Sequence, residues 1–404
     1  MKSSIADRRY RTLRSFLSLA LVSLVAVLGL GCRELTLRAR MRAATLVKSG
    51  LYVAAERELR RWLALVPRDT ALRALEIRLL CDERRIADAV ASYQRYHGAA
   101  RIHSRPLLVA ILRGAIDNGD DEIAAQAIRT CGVFDLVETY RDLLKASNIR
   151  RPWLRAEAYE AIGRSSYEDA VFALFYGFWD DDEYVRAHAL QAAGRHGDAR
   201  SLWWSRLCCQ DPDPIVQWRE AITRTLLGDL SELRWIKQGL MEGDIYAVDA
   251  AACLVEIGRR EYLPVVARCV TSDEPMARYR AAGNLGELKA HEYLSDIVAL
   301  AQDTCDQMRE GVADGLGRMG DTAALATLVE LARDRNYDVR AAAAIAIAAL
   351  PASGVETRLM GLLADTSDVV RVSAIGSLAG LLPAPQPCEA ETTGACPDAG
   401  PARE

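Results

Sequence analysis

The stretch that decides the fold is Val339-Arg340-Ala341-Ala342-Ala343-Ala344-Ile345-Ala346-Ile347-Ala348-Ala349-Leu350. Alanine has the best helix propensity and lets neighbouring backbones approach closely, so this stretch predicts a tightly packed helix. An apolar residue before an arginine position recurs through the second half of the chain, at Leu154-Arg155, Val185-Arg186, Val216-Gln217, Val248-Asp249, Tyr279-Arg280, Met308-Arg309, Val339-Arg340 and Val370-Arg371. The steps between the second members are 31, 31, 32, 31, 29, 31 and 31. A fixed period of this length indicates a helical solenoid.

An acidic residue accompanies most of these arginine positions, six residues upstream. It occurs in six of the eight repeats, as Asp180, Asp211, Glu274, Asp303, Asp334 and Asp365. A carboxylate in this loop lies near a helix N-terminus, where the helix dipole favours it. A guanidinium from an adjoining turn can bind it with two donors.

Together these features resemble HEAT repeats, in the short form also called phycobilisome-lyase-like, over residues 134–382. In that family the two positions form a ladder between successive repeats. The resemblance therefore implies a structural role for the six acids and for Arg155, Arg186, Arg280, Arg309, Arg340 and Arg371. The ladder is interrupted where Gln217 and Asp249 replace arginine and Gly243 replaces the acid. We expect the weakest or most bent junction of the array within residues 205–265.

Residues 35–133 show a different repeat. Gly50, Tyr52, Ala55 and Pro67 resemble the second helix of a tetratricopeptide repeat, and a step of 34 residues is the period of that family. Weaker copies follow at Arg84, Ile86, Ala89, Tyr93 and Tyr96, and at Gly119, Ala124 and Ile128. The predicted fold is therefore all-α: a right-handed α-solenoid superhelix of tetratricopeptide-like and then HEAT-like helix pairs. A solenoid of this kind builds an extended surface rather than a single deep pocket.

The N-terminus, residues 1–31, is predicted to be a signal peptide of the lipoprotein type. Basic residues precede an uncharged stretch from Ser15 to Leu30, and Cys32 follows the small residue Gly31. This pattern resembles the bacterial lipoprotein signal, which implies that Cys32 carries the lipid. The alternative is an uncleaved membrane anchor, for which a stretch of 16 residues is slightly short.

Charge and cysteine spacing exclude several classes of function. Without residues 1–31 the chain has 51 − 5 = 46 basic and 55 − 1 = 54 acidic residues, a net charge of −8. This balance argues against a nucleic-acid-binding protein, which needs a basic stripe. No C-x-x-C pair occurs among the ten cysteines, so no zinc ribbon is indicated. Residues 383–404 hold five of the 13 prolines and are predicted to be a disordered tail.

Two motifs suggest chemistry that their context does not support. Gly315-Leu316-Gly317-Arg318-Met319-Gly320 matches a dinucleotide fingerprint, but it lies near the end of a predicted helix rather than after a strand. His291-Glu292 resembles the His-Glu pairs of deoxyhypusine hydroxylase, a HEAT-like di-iron enzyme, but one pair cannot assemble that centre. We therefore predict no catalytic residue, no metal site and no cofactor.

Large aromatic side chains concentrate in the first HEAT-like repeats, and two interpretations of them are open. They fill the core where the two repeat types meet, or they form an exposed anchor patch, because tryptophan and tyrosine concentrate at binding hot spots. Consecutive helix residues such as Trp203 and Trp204 cannot both face inward fully. The candidate partner-binding residues are Trp203, Trp204, Trp218 and Trp235.

These observations predict a non-catalytic scaffold or adaptor that binds protein partners of unknown identity and is held by its lipid in the bacterial envelope. Arg33 follows the cysteine, rather than the aspartate that often retains lipoproteins at the inner membrane, which favours the outer membrane. The alternative is a HEAT-like enzyme or enzyme subunit related to hydroxylases or lyases.

Overall fold

The computed structural model describes residues 32–100, 102–206 and 211–384, and over these residues all regular secondary structure is helical, with no strand. The prediction of an all-α solenoid is thereby confirmed. The helices are α1 Cys32–Lys48, α2 Tyr52–Leu65, α3 Thr70–Asp82, α4 Ile86–Ala100, α5 Arg105–Ile116, α6 Asp121–Val133, α7 Tyr140–Ala146, α8 Pro152–Gly163, α9 Ala170–Gly177, α10 Glu183–His196, α11 Arg200–Ser205, α12 Pro214–Leu226, α13 Leu233–Gly239, α14 Asp244–Glu256, α15 Leu263–Arg268, α16 Pro275–Glu287, α17 Leu294–Ala299, α18 Asp306–Met319, α19 Leu325–Leu331, α20 Tyr337–Ala349, α21 Val355–Leu362 and α22 Asp368–Gly380. The predicted signal peptide (residues 1–31) and most of the predicted tail (residues 385–404) lie outside the described residues.

From α6 onward, long and short helices alternate. The even-numbered helices have 12 to 14 residues, and the odd-numbered helices have six to eight. Capping side chains start several of the long helices. Asp182 accepts hydrogen bonds from the backbone N–H groups of Tyr184 and Val185, and Asn336 does the same at the start of α20. Such caps satisfy donors that a helix N-terminus otherwise leaves unpaired.

The long helices pack side by side in chain order, and the last of them returns to the first. Helix α22 packs against α6 and α5, which closes the array into a ring. At this closing seam, the contact of α22 with α5 and α6, Gln126 Nε2 donates a buried hydrogen bond of 2.8 Å to Ser373 Oγ. Arg105 Nη1 also donates to the carbonyl oxygen of Ala379 at 3.1 Å.

Closure changes the shape that the sequence predicts. Residues from α6, α8, α10, α12, α14, α16, α18 and α20 line a central cavity of about 1000 Å³. The expectation of an extended surface without a deep pocket is therefore wrong. The physical reason is that the small rotation between neighbouring repeats accumulates until α22 meets α6, where apolar and polar groups on both helices fit together.

The hydrophobic core is continuous from α3 to α22, but the junction of α12 and α14 has a core of its own. Trp218, Ala221 and Ile236 belong to this separate core. Helices α12 and α14 pack against each other less extensively than any other neighbouring pair of long helices in the described ring. The weak junction expected within residues 205–265 is thus confirmed at the level of packing.

Gly376 provides a test of the seam. A Cβ atom there would overlap Thr130 Cγ2 of α6 and lie 3.3 Å from Leu112 Cδ2 of α5. We expect Gly376→Ala to lower the free energy of unfolding by about 1–3 kcal/mol, because inserting a methyl group into a closed contact forces the helices apart. The measurement is equilibrium denaturation of the purified protein.

Gly361 in α21 is the matched control. It is also helical, it is exposed, and a Cβ atom there meets nothing within 4 Å. Gly361→Ala should leave stability unchanged or raise it by up to about 1 kcal/mol, since alanine costs less backbone entropy in a helix. Equal stability of both variants would contradict the close packing of α22 against α5 and α6.

Candidate functional site

The arginines of the 31-residue pattern join neighbouring repeats at the loops that precede the long helices. Arg155 Nε and Nη2 donate to the two carboxylate oxygens of Asp180, at 2.7 and 2.5 Å. Its Nη1 also donates to the carbonyl oxygen of Ile149 at 3.0 Å, six residues upstream. The same arrangement is present for Arg186 with Asp211, Arg309 with Asp334, and Arg340 with Asp365. Arg371 binds Asp368 of its own repeat.

The fifth repeat departs from the sequence prediction, which placed Arg280 and Glu274 in this ladder. Arg278 is the residue whose Nη1 donates to carbonyl oxygens six and five residues upstream, at Ser272 and Asp273. Arg280 instead forms an ion pair of 2.5 Å with Asp249. The reason is register: Glu274 is the N-cap of α16, and in each repeat the ladder residue follows the N-cap by four positions.

The same register shifts the fourth repeat. Gly243 is the N-cap of α14, so the ladder position there is Ala247 rather than Asp249. The positions are then 155, 186, 217, 247, 278, 309, 340 and 371, with steps of 31, 31, 30, 31, 31, 31 and 31. The alanine side chain has no donor, and among the described residues Gln217 Nε2 donates to the carbonyl oxygen of Asp211 in its own repeat and to no carboxylate. The ladder is therefore interrupted between α12 and α16, where the packing is also weakest.

The central cavity is crossed by ion pairs between helices on different sides of the ring. Arg129 of α6 binds Glu157 of α8 at 2.9 Å and Glu310 of α18 at 3.2 Å. Arg195 of α10 binds Glu287 of α16 at 3.1 Å. These contacts join segments 181 and 92 residues apart in sequence. Most charges in the cavity are thus compensated within the chain.

Three charged side chains that line the cavity, Arg164, Glu256 and Lys289, form no ion pair with any described residue. Burial, together with the nearby positive charges of Arg195 and Arg318, lowers the pKa of Arg164. Burial and the negative charge of Glu287 raise the pKa of Glu256 to about 7. Burial also raises the pKa of the neighbouring Cys253 thiol to about 12, so this thiol is not an activated nucleophile.

The four candidate tryptophans divide between core and surface. Trp218 is 3% exposed and contacts Trp235 edge to face, with ring centroids 5.5 Å apart. Its place in the partner-binding set is a misassignment, because its ring fills the gap between α12, α13 and α14, where Gly239 leaves room for it. Trp235 is half-buried in the same cluster.

The other two candidates lie on the outer helix α11. Trp203 is 64% exposed, whereas Trp204 packs on Phe175 of α9 with ring centroids 4.8 Å apart. Three further aromatic side chains of α9 and the loop after it are exposed. We call these residues the outer aromatic patch: Phe172, Tyr176, Trp179 and Trp203. The guanidinium of Arg200 lies 5.1 Å above the ring of Phe172.

The two motifs set aside at the level of sequence have structural explanations. Gly315 and Gly317 lie within α18, and Gly320 is its left-handed C-cap with φ of 74°. A Cβ atom at Gly317 would meet the backbone of Ala346 in α20, so this glycine serves close helix packing. His291 pairs with Asp321 at 3.0 Å, and Glu292 pairs with Arg260 at 2.9 Å.

Sequence reasoning missed one cluster of possible metal ligands. His97 at the end of α4, His103 before α5 and Glu356 of α21 place one ligand atom each within 4.8 Å of one another. His103 and Glu356 are 253 residues apart, so only ring closure brings them together. Cys32 begins α1, but its side chain lies outside the described residues. No helix in the described ranges has the length and hydropathy to cross a membrane.

Residues 296–379 match the family model of HEAT repeats. No curated protein matches the sequence. The chain is similar in structure to human deoxyhypusine hydroxylase in complex with glycerol, with a TM-score of 0.33 and 18% identity over 62% of this chain and 98% of that chain. It is also similar to the complex of CpcE and CpcF of phycocyanin lyase from Nostoc sp. PCC7120, with a TM-score of 0.36 and 17% identity over 60% and 94%. For Kap121p the values are 0.29 and 12%, over 77% and 44%.

Arg309 tests the energetic role of the ladder. Its side chain is 8% exposed and binds both Asp334 and Asp306. We expect Arg309→Ala to lower the free energy of unfolding by about 3 kcal/mol, because it leaves a largely buried carboxylate unpaired. The control is Arg333→Ala, whose side chain is 74% exposed and which should change stability by less than about 0.5 kcal/mol.

The pH dependence of this difference has a defined sign. Arg309 holds the pKa of Asp334 below its usual value of 3.8. The stabilisation is therefore fully present above that value and is lost as the pH falls through the folded pKa. The stability difference between the native chain and Arg309→Ala should shrink in acid. A difference that grew below pH ~4 would contradict the assignment.

Proposed function

We propose that the protein is a non-catalytic scaffold of the bacterial envelope that binds a protein partner through the outer aromatic patch. The observation that carries the proposal is the exposure of that patch: Trp203 is 64% exposed, Trp179 57% and Tyr176 73%. Large exposed apolar patches mark interaction sites on soluble proteins, and tryptophan and tyrosine supply most binding energy at such sites.

The inner and outer faces of the ring differ in a way that supports the outer aromatic patch as the binding surface. The cavity holds about 1000 Å³, which suits a small molecule rather than a folded partner. Its charges bind one another across the ring, as Arg129 does with Glu310. The outer helices α9 and α11, by contrast, present aromatic rings to solvent and are directly accessible to another macromolecule.

One ring of the patch, Phe172, is also preorganised. Phe172 contacts Trp204, with ring centroids 5.7 Å apart, and Arg200 lies over the Phe172 ring. Trp204 and its neighbour Phe175 are partly buried against the core. A ring held in place before binding loses little conformational entropy when a partner docks, so Phe172 can contribute strongly to affinity.

The partner-binding test uses crosslinking and affinity capture from membranes. We expect Trp203→Ala and Tyr176→Ala each to weaken capture of the principal partner about 30-fold, since a hot-spot residue contributes about 2 kcal/mol. Met241→Ala is the control, because Met241 is 86% exposed but lies on the loop between α13 and α14. Equal capture by all three variants would show that the partner binds elsewhere.

The membrane attachment that we propose rests on Cys32 and the residues before it. If a lipid is attached there, Cys32→Ala should abolish incorporation of labelled fatty acid and release the protein from membranes. Cys305→Ala is a control, because Cys305 is a free cysteine at the start of α18 that the proposal does not involve. Lipid labelling that persisted in Cys32→Ala would contradict the anchor.

The competing hypothesis is a HEAT-like enzyme with hydroxylase-related or lyase-related chemistry. It predicts stoichiometric iron in the purified protein, which elemental analysis measures. The scaffold proposal predicts that no iron co-purifies apart from any held by His97, His103 and Glu356, and that partner capture does not depend on iron.

A further inference from the structure

Beside the closing seam, the end of α4, the segment before α5 and the start of α21 bring together three side chains that are typical metal ligands. His103 Nε2 lies 2.9 Å from Glu356 Oε1, and the rings of His97 and His103 stack with centroids 4.4 Å apart. The His103 side chain is 11% exposed, whereas that of Glu356 is 61% exposed. The cluster therefore lies at the surface of the protein. The His103 side chain is largely enclosed, whereas the Glu356 side chain can change its conformation.

The chemistry of these ligands favours one class of ion. Imidazole nitrogens together with one carboxylate suit Zn²⁺ and its neighbours among the transition metals, whereas Ca²⁺ and Mg²⁺ prefer oxygen ligands. Donor atoms around tetrahedral zinc lie about 3.3 Å apart, so ligand atoms that are now within 4.8 Å of one another must move closer together. The exposed Glu356 side chain can do so by changing its rotamer, and the stacked rings of His97 and His103 must turn so that both nitrogens face the ion.

A second feature orients His103 for this role. The Tyr93 hydroxyl lies 2.5 Å from His103 Nδ1, and Tyr93 itself is fully buried. Without an ion, the neutral ring donates from Nε2 to the Glu356 carboxylate, so Nδ1 accepts from the Tyr93 hydroxyl. An ion at Nε2 takes the place of that proton, and Nδ1 can then carry the ring proton and donate it to the Tyr93 oxygen. Metal-binding histidines commonly make such a hydrogen bond through the second ring nitrogen, which fixes the tautomer and the ring.

We propose that His97, His103 and Glu356 bind one divalent transition-metal ion of the zinc class, which fastens the ring at its closing seam. His97 lies in the last turn of α4, His103 lies between α4 and α5, and Glu356 belongs to α21. The ion therefore connects the beginning of the array to its end, beside the contacts of Arg105 with Ala379. Three protein ligands leave one coordination position for water.

The experiment measures zinc binding to the purified chain after chelator treatment. The probe is ZnCl₂ in calorimetry and equilibrium dialysis, with Co²⁺ absorption as a report of tetrahedral coordination. Because cysteines elsewhere in the chain can also bind zinc, the site is measured as the difference between the native chain and variants. The variants are His97→Ala and Glu356→Gln, and the control is His291→Ala, which removes another histidine that pairs with an acid.

We expect the native chain and His291→Ala to bind one more equivalent of zinc than His97→Ala or Glu356→Gln. Zinc at about 100 times its Kd should raise the Tm by about 4 °C only in the proteins that keep the site. Glu356→His should restore the lost equivalent, because a third imidazole is also a zinc ligand, whereas a simple His103–Glu356 ion pair would not be rescued in this way.

Two outcomes would overturn the proposal. One is an equal zinc stoichiometry in the native chain, His97→Ala and Glu356→Gln. The other is a loss of the extra equivalent in Glu356→Gln that Glu356→His fails to restore, with all variants folded as judged by circular dichroism.

Discussion

Closure of the ring is the constraint on which the rest of the structure depends. In an open solenoid each repeat meets only its two neighbours, so a small change in one rotation displaces the end of the array without cost elsewhere. Here nine long helices of the described chain form a circle, and their rotations must sum to one full turn. Close contacts of small residues, such as that of Gly376 with Thr130, can form only if the rotations of all earlier repeats place α22 against α5 and α6.

The irregular fourth repeat makes sense within this constraint. The Arg–Asp contacts set a similar geometry at each loop where they are present, which leaves little freedom to correct a mismatch. Between α12 and α16 the ladder is absent, because Gln217 and Ala247 cannot reach a carboxylate of the next repeat. The large side chains of Trp218 and Trp235 fill this junction instead. We infer that the rotation between neighbouring repeats differs at this junction from the rotation at the regular ones, so that all the rotations together make one full turn.

The sequence predicted the features that depend on residues close together in the chain. It did not predict those that depend on contacts between distant parts of the chain. The period near 31 residues, the helix pairs and most ladder residues follow from local propensity and spacing. The misassignment of Arg280 arose because Tyr279-Arg280 imitates the apolar-arginine pair, while the N-cap at Glu274 sets the true register two residues earlier. Ring closure carried no local signal, since Gln126 and Ser373 are 247 residues apart. Everything that depends on closure, including the cavity and the His97–His103–Glu356 cluster, was therefore hidden from sequence reasoning.

The ion pairs across the cavity explain how closure selects one arrangement. These partly buried charge pairs add little net stability, because desolvation offsets much of their attraction, but a misplaced partner leaves a charge uncompensated, which is unfavourable. Arg129 with Glu310 and Arg195 with Glu287 therefore act against slipped or open arrangements more than they stabilise the closed one. The apolar and small-residue contacts of the closing seam stabilise the closed ring. The ion pairs determine which residues of the facing helices lie opposite each other.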